Sequence, residues 1–280
     1  MAHDSDHDDF GGLHRDLRTM INRGRRRDFL KWIAGASLVP LVGACTSDGE
    51  SLVDGGTDGA TTGGDGSTPS SCSVIPTETG GPYPGDGTNG PNVLTASGVV
   101  RSDITSSFNG LSGTAAGIPL TIKLNLVNTS ASCAALAGYG VYLWHCDRSG
   151  LYSLYSSGVT NQNYLRGIQE SDANGQVTFQ SIFPACYSGR WPHIHFEIFS
   201  SLSGATSATG KIRTSQLALP KSTCDEVFAT TGYSASVSNL SQISLASDNV
   251  FSDGTSLQLA SVAGSTSAGY IATLNVGVAA

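Results

Sequence analysis

The residues best suited to chemistry gather in one short stretch, Arg190-Trp191-Pro192-His193-Ile194-His195-Phe196. On a β-strand, residues i and i+2 point to the same face, so the imidazoles of His193 and His195 project together while Ile194 and Phe196 project oppositely. Two neutral imidazoles on one rigid strand make half a metal site. Two hydrogen-bonded surface histidines would have the same spacing. Of the other four histidines, His3, His7 and His14 fall in an N-terminal leader, and His145 lies on a different strand. Two tyrosines stand where strands run out into turns, Tyr187 after Ile182-Phe183-Pro184-Ala185-Cys186 and Tyr152 after Trp144-His145-Cys146-Asp147-Arg148-Ser149-Gly150-Leu151. Either ring alone could equally be a core residue with a satisfied hydroxyl. No Cys-x-x-Cys pair is present, which argues against zinc held by thiolates.

These side chains need a rigid frame, and the composition points to a β frame. The chain has 280 residues, 39% hydrophobic and 13% charged, with 35 Gly and 2 Met. That is too little helix-forming material for a helical bundle. Pro119 to Val127 alternates Leu120, Ile122, Leu124 and Leu126 against polar neighbours, the pattern of a half-buried strand. Gly140 to Cys146 reads as a more fully buried strand. Gln176 to Ile182 follows the turn Asp172-Ala173-Asn174-Gly175, a hairpin signal. His193 to Phe199 and Tyr270 to Val278 complete a set of short, turn-punctuated strands. The expected fold is all-β, an antiparallel β-sandwich.

Taken in order, the motifs resemble the intradiol ring-cleavage dioxygenases, the family of protocatechuate and catechol dioxygenases, and within it the secreted single-domain branch. The resemblance runs from about Thr77 to Gln216. It rests on Thr77-Glu78-Thr79-Gly80-Gly81-Pro82-Tyr83, Arg101-Ser102-Asp103-Ile104, Trp144-His145-Cys146-Asp147 with Gly150-x-Tyr152-Ser153, Leu165-Arg166-Gly167, Asp172-x-x-Gly175, Pro184-x-x-Tyr187 and Arg190-x-x-His193-x-His195. The resemblance implies the family's β-sandwich core and a non-haem Fe(III) centre held by Tyr152, Tyr187, His193 and His195. It also implies a small aromatic diol and O2 as substrates, and ring opening between the two hydroxyls to a muconate-type dicarboxylic acid. Tyr187 takes the place of the tyrosine that substrate displaces, Arg190 that of the arginine stabilising the electron-rich substrate, and Gln216 that of a supporting glutamine. Such donors suit the metal, because hard anionic phenolate oxygens favour a hard, highly charged cation. The short loop between Tyr187 and Arg190 suggests an open pocket. A bridge between Cys186 and Cys146, if formed, would brace the site.

The first 44 residues read as an address. Arg26-Arg27-Asp28-Phe29-Leu30-Lys31 precedes the apolar run Trp32 to Ala44 and resembles a twin-arginine export signal. Val42-Gly43-Ala44-Cys45 looks like a lipobox, which makes Cys45 the expected lipidation site. Residues 45–71 are rich in Gly, Ser, Thr and Asp and read as a flexible tether. Residues 72–280 are then the catalytic domain. Without the leader, the chain has eight basic and sixteen acidic residues, a balance that argues against a nucleic-acid partner. The expectation is an extracytoplasmic enzyme touching the membrane only through Cys45. Export makes disulfides plausible among Cys72, Cys133, Cys146, Cys186 and Cys224, an odd set that leaves at least one free. Two other classes fit parts of the pattern: a zinc or copper β-sandwich enzyme using His193 and His195, and a lipid-anchored binding or adhesion sandwich.

Overall fold

The computed structural model describes residues 73–280; the leader, the tether, Cys45 and Cys72 lie outside the described residues. In chain order the strands are β1 (Pro119–Asn128), β2 (Ala134–Ala135), β3 (Gly140–Trp144), β4 (Arg166–Glu170), β5 (Gln176–Ile182), β6 (His193–Phe199), β7 (Lys211–Ala218), β8 (Ser261–Ser265) and β9 (Gly269–Val278). Two eight-residue helices, α1 (Lys221–Phe228) and α2 (Ser234–Ser241), lie between β7 and β8.

The strands form two sheets. One has the order β2-β1-β9-β8, with β5 also paired to β1; the other has the order β4-β3-β6-β7. Pairing is antiparallel except between β1 and β9, which run parallel, so the sandwich is not purely antiparallel. Parallel neighbours need a long crossover, and here β9 returns to β1 after the whole second sheet and both helices have been laid down. The Asp172–Gly175 turn joins β4 to β5, strands of opposite sheets. Asp172 Oδ1 accepts the amides of Asn174 and Gln176, and Gly175 takes φ +75°, where a side chain would be strained.

Alternation along the strands divides the interior in two. Leu120, Ile122, Leu124 and Leu126 of β1 meet Val141 and Leu143 of β3 and Ile194, Phe196 and Ile198 of β6 in the core between the sheets. The opposite face of the four-stranded sheet is also covered. Tyr142, Trp144, Ile168 and Phe199 join Val93, Leu94, Val99, Phe108 and Tyr152 in a second apolar cluster beneath irregular segments. His193 and His195 point into this second layer, which explains why both faces of β6 are buried.

Candidate active site

Register assembles the centre of the site. His195 on β6 is the in-register partner of Trp144 on β3 and of Gln216 on β7, and Trp144 is in turn opposite Arg166 on β4. One row across the sheet therefore reads Arg166, Trp144, His195, Gln216. The Trp144 and His195 rings stack with centroids 4.9 Å apart and planes 5° apart, which fixes the imidazole's plane.

Four donor atoms converge above this row. The Nε2 atoms of His193 and His195 are 3.1 Å apart. Tyr152 Oη lies 3.4 Å from each of them, and Tyr187 Oη lies 3.3 Å from His193 Nε2. His193 Nδ1 donates to the Trp191 carbonyl at 2.5 Å, so its Nε2 presents a lone pair to the cluster. Among the described residues, His195 Nδ1 is buried with no hydrogen-bond partner.

Each tyrosine sits on a turn held by named contacts. Asp147 Oδ1 accepts the amides of Ser149 and Leu151, and Asp147 Oδ2 accepts the Tyr164 hydroxyl, shaping the turn that delivers Tyr152. Gly150 has φ +84°, and a Cβ there would come 3.1 Å from the Tyr187 Cβ, so the turn passes close beneath the second tyrosine. On the Tyr187 side, Ser236 Oγ of α2 accepts the Cys186 amide, and Asn239 Nδ2 of the same helix donates to the Cys186 carbonyl.

The polypeptide alone sets these groups far from their solution behaviour. Burial, and then the Arg190 charge, push the His193 imidazole well below its usual range; burial, His193 and Arg190 do the same to His195. Both rings are therefore neutral. Burial, with the neighbouring Tyr187, raises the Tyr152 phenol well above its usual range. A highly charged cation would reverse the phenol shift, since it favours the deprotonated donor. A cation about 2.0–2.1 Å from each donor places neighbouring donors roughly 2.9–3.4 Å apart, the spacing seen here. Two neutral imidazoles and two ionisable phenols therefore fit a hard, trivalent metal.

The sequence-derived residues Tyr152, Tyr187, His193 and His195 are thus brought together, and Arg190 and Gln216 lie beside them. Arg190 is 2% exposed. Its Nη2 donates to Gln216 Oε1 at 2.7 Å, and its Nε donates to Asp248 Oδ2 at 2.9 Å. Gln216 Nε2 donates to the Thr79 carbonyl at 2.9 Å, linking the arginine to the segment that covers the site. Burial works against the guanidinium's charge, but Tyr187 and Asp248 more than offset it and hold the charged form.

The pocket is not open at its base. Tyr152, Arg190, His193 and His195 are each 2% exposed, and of the four donors only Tyr187 is half-buried. In the short Tyr187–Arg190 loop Ser188 is exposed, while residues 79–86 cover the opposite side of the donors. Gly81 sits over the His195 ring, where a Cβ would be 3.4 Å from Cε1, and the Tyr83 ring lies 5.0 Å from that of Tyr152. Arg166 fastens this cover, donating to the carbonyls of Tyr83, Pro84 and Ser153 and to the hydroxyls of Ser153 and Tyr142.

Cys146 and Cys186 do not form a bridge. Cys146, Cys186 and Cys224 are all free and buried, while Cys133 is disulfide-bonded. The Cys186 thiol donates to the Arg190 carbonyl at 3.4 Å and the Cys146 thiol to the Ala185 carbonyl at 3.7 Å, so each closes a loop contact as a thiol. His145 stays outside the site. Its nitrogens are taken by the Cys146 carbonyl and Ser181 Oγ, both at 2.7 Å, and burial lowers its pKa to about 4.

Asp248 was not found from the sequence. It lies in an irregular segment after α2 and carries no motif spacing to the histidines. The Ser247-Asp248-Asn249 composition signals only a turn.

A family model for dioxygenases, Dioxygenase_C, matches residues 89–212, which include the two tyrosines, Arg190 and both histidines. Two of the solved structures similar to this one are the following. The intradiol ring-cleavage dioxygenase from Tetranychus urticae is 26% identical, with 74% of this chain and 94% of that chain covered and a TM-score of 0.57. The dioxygenase Tetur07g02040 is also 26% identical over 74% of this chain and 94% of its own, with a TM-score of 0.58. A comparison with curated proteins gives no match.

Proposed function

We propose, for a chain that belongs with the intradiol ring-cleaving dioxygenases by family model and by fold, that Tyr152, Tyr187, His193 and His195 hold Fe(III) and that the site opens catechol-type rings with O2. The observation that carries this reading is the convergence of two phenol oxygens and two imidazole nitrogens at 3.1–3.4 Å spacing in a buried layer. Zinc or copper would be served by the imidazoles but would gain little from two phenolates. A binding or adhesion role gives no reason to bury such a set.

When bound, ferric iron would draw electron density from a catecholate and so open the ring to attack by dioxygen. The chain's own residues supply the rest. Two phenolates offset much of the trivalent charge and lower the cost of keeping it buried. Trp191's carbonyl and the Trp144 ring hold the two imidazoles in one orientation each. Tyr187, the most exposed donor, is the group able to swing away and accept a catechol proton at Oη. Arg190 stays charged and directs its guanidinium toward the ring as negative charge develops there. Gln216 holds Arg190 Nη2 and so acts through the arginine. Dry surroundings at the pocket floor strengthen each of these electrostatic contacts.

The substrate is a small aromatic diol, and the enzyme works outside the cytoplasm, tethered at Cys45. The test is a panel of catechols offered to the purified, iron-loaded protein, with oxygen uptake and the ring-opened acid followed together. Uptake matched by a dicarboxylic acid supports the reading. A protein that holds iron yet consumes no oxygen with any catechol overturns it.

A further inference from the structure

The family model ends at Ile212, well before Asp248, yet Asp248 is wholly buried against the proposed catalytic arginine. Its two oxygens are fully engaged. Oδ2 accepts Arg190 Nε at 2.9 Å and the Trp191 amide at 2.7 Å. Oδ1 accepts the amides of Val250 at 2.8 Å and Phe251 at 3.2 Å, with Arg190 Nη2 at 3.5 Å. The amides of its own turn lock the carboxylate, and the carboxylate in turn locks both the guanidinium and the main chain one residue further on. Two residues beyond Trp191, the same backbone becomes His193.

We propose that Asp248 is a positioning residue: it fixes the direction in which Arg190 points. Charge considerations support a geometric role. A carboxylate in contact offsets part of the arginine's field, so the direction of the guanidinium decides what it can stabilise, and Nε is held by Asp248 and Nη2 by Gln216. Among the described residues Nη1 has no hydrogen-bond partner, which leaves it as the donor available to a substrate. The C-terminal segment, which a reading limited to the matched family region would leave out, thus completes the site.

This inference rests on the reading of Arg190 as catalytic, and the test separates the two. Turnover is measured for Asp248→Asn, Asp248→Glu, Arg190→Ala and the two double variants, with iron content and visible absorption recorded for each. Asp248→Glu keeps the charge and the acceptors but shifts the guanidinium by one methylene, so it remains informative if the Asn variant does not fold. Misplacing a reacting group by about 1 Å costs ~10²-fold. The expected result is a fall in kcat of ~10–10²-fold with KM little changed, and no further fall when either substitution is added to Arg190→Ala. Losses that multiply in the double variants overturn the proposal, as does full turnover in both single Asp248 variants. Full turnover of Arg190→Ala instead overturns the role of Arg190 itself, and is distinct because Arg190→Ala is otherwise slow.

Discussion

Replacing Arg166 by Met tests how the cover over the site is held. The arginine is 1% exposed and makes five hydrogen bonds, none of them to a carboxylate. Three of its acceptors, the Pro84 carbonyl and the hydroxyls of Tyr142 and Ser153, keep other partners when it is removed. The Pro84 carbonyl still receives the Tyr142 hydroxyl, and Ser153 Oγ still donates to the Tyr164 carbonyl. The carbonyls of Tyr83 and Ser153 lose their guanidinium contact. Losing a buried acceptor's partner costs ~1–3 kcal/mol, and that cost falls on the Ser153 carbonyl, whose guanidinium bond is buried. Relief from burying a cation without a counter-charge works in the other direction, and the expected net loss is about 1–2 kcal/mol. Urea unfolding of the wild type and Arg166→Met at neutral pH measures it. The variant should also show a raised KM, because residues 83–84 form the wall beside Tyr152. A stability within about 0.5 kcal/mol of wild type, the usual range for an inconsequential surface change, would refute the reasoning.

Glu197, wholly buried on β6 with Lys211 as its ion-pair partner, gives a pH prediction. Lys211 also serves Asp86, so one cation faces two carboxylates. Burial raises the Glu197 pKa from 4.5 to about 7, whereas the Thr88 and Lys211 contacts outweigh burial and lower that of Asp86. Because the folded Glu197 pKa is raised, its ionisation opposes folding, and stability should fall by on the order of 2–3 kcal/mol as pH rises from about 4.5 to 7. Urea midpoints across that range should show the slope in wild type and not in Glu197→Gln. His195→Ala should lose iron and the tyrosinate colour, while His145→Ala keeps both; metal analysis and visible absorption decide. Cys45→Ser should release the protein from membranes, and a variant that is processed normally and stays membrane-bound would contradict lipid anchoring.

Sheet-forming segments were legible because alternation is local. Leu120 to Leu126 and His193 to Phe199 announce their faces within a few residues, and β5 and β6 match the expected bounds. Burial of both faces of β6 was not legible, since the cover is built from residues 79–108, which have no periodicity. The parallel β1–β9 pair was hidden for a related reason: pairing direction depends on a crossover, not on either strand's own pattern. At the site, His-x-His and the two tyrosines stood in recognisable motifs. Asp248 and α2 did not, because a carboxylate that caps its own turn looks like any other loop aspartate. The cysteines were ambiguous for want of spacing rules, and their thiols turn out to serve as small buried donors to carbonyls.

The most direct test of the central claim is the mass of the ring-opened product formed by iron-loaded protein under heavy-isotope dioxygen. The account predicts a dicarboxylic acid carrying both oxygen atoms from one O2, absent when Tyr152 and His195 are replaced. A product with no label, or an aldehyde-acid from cleavage beside the diol instead of between its hydroxyls, would contradict it.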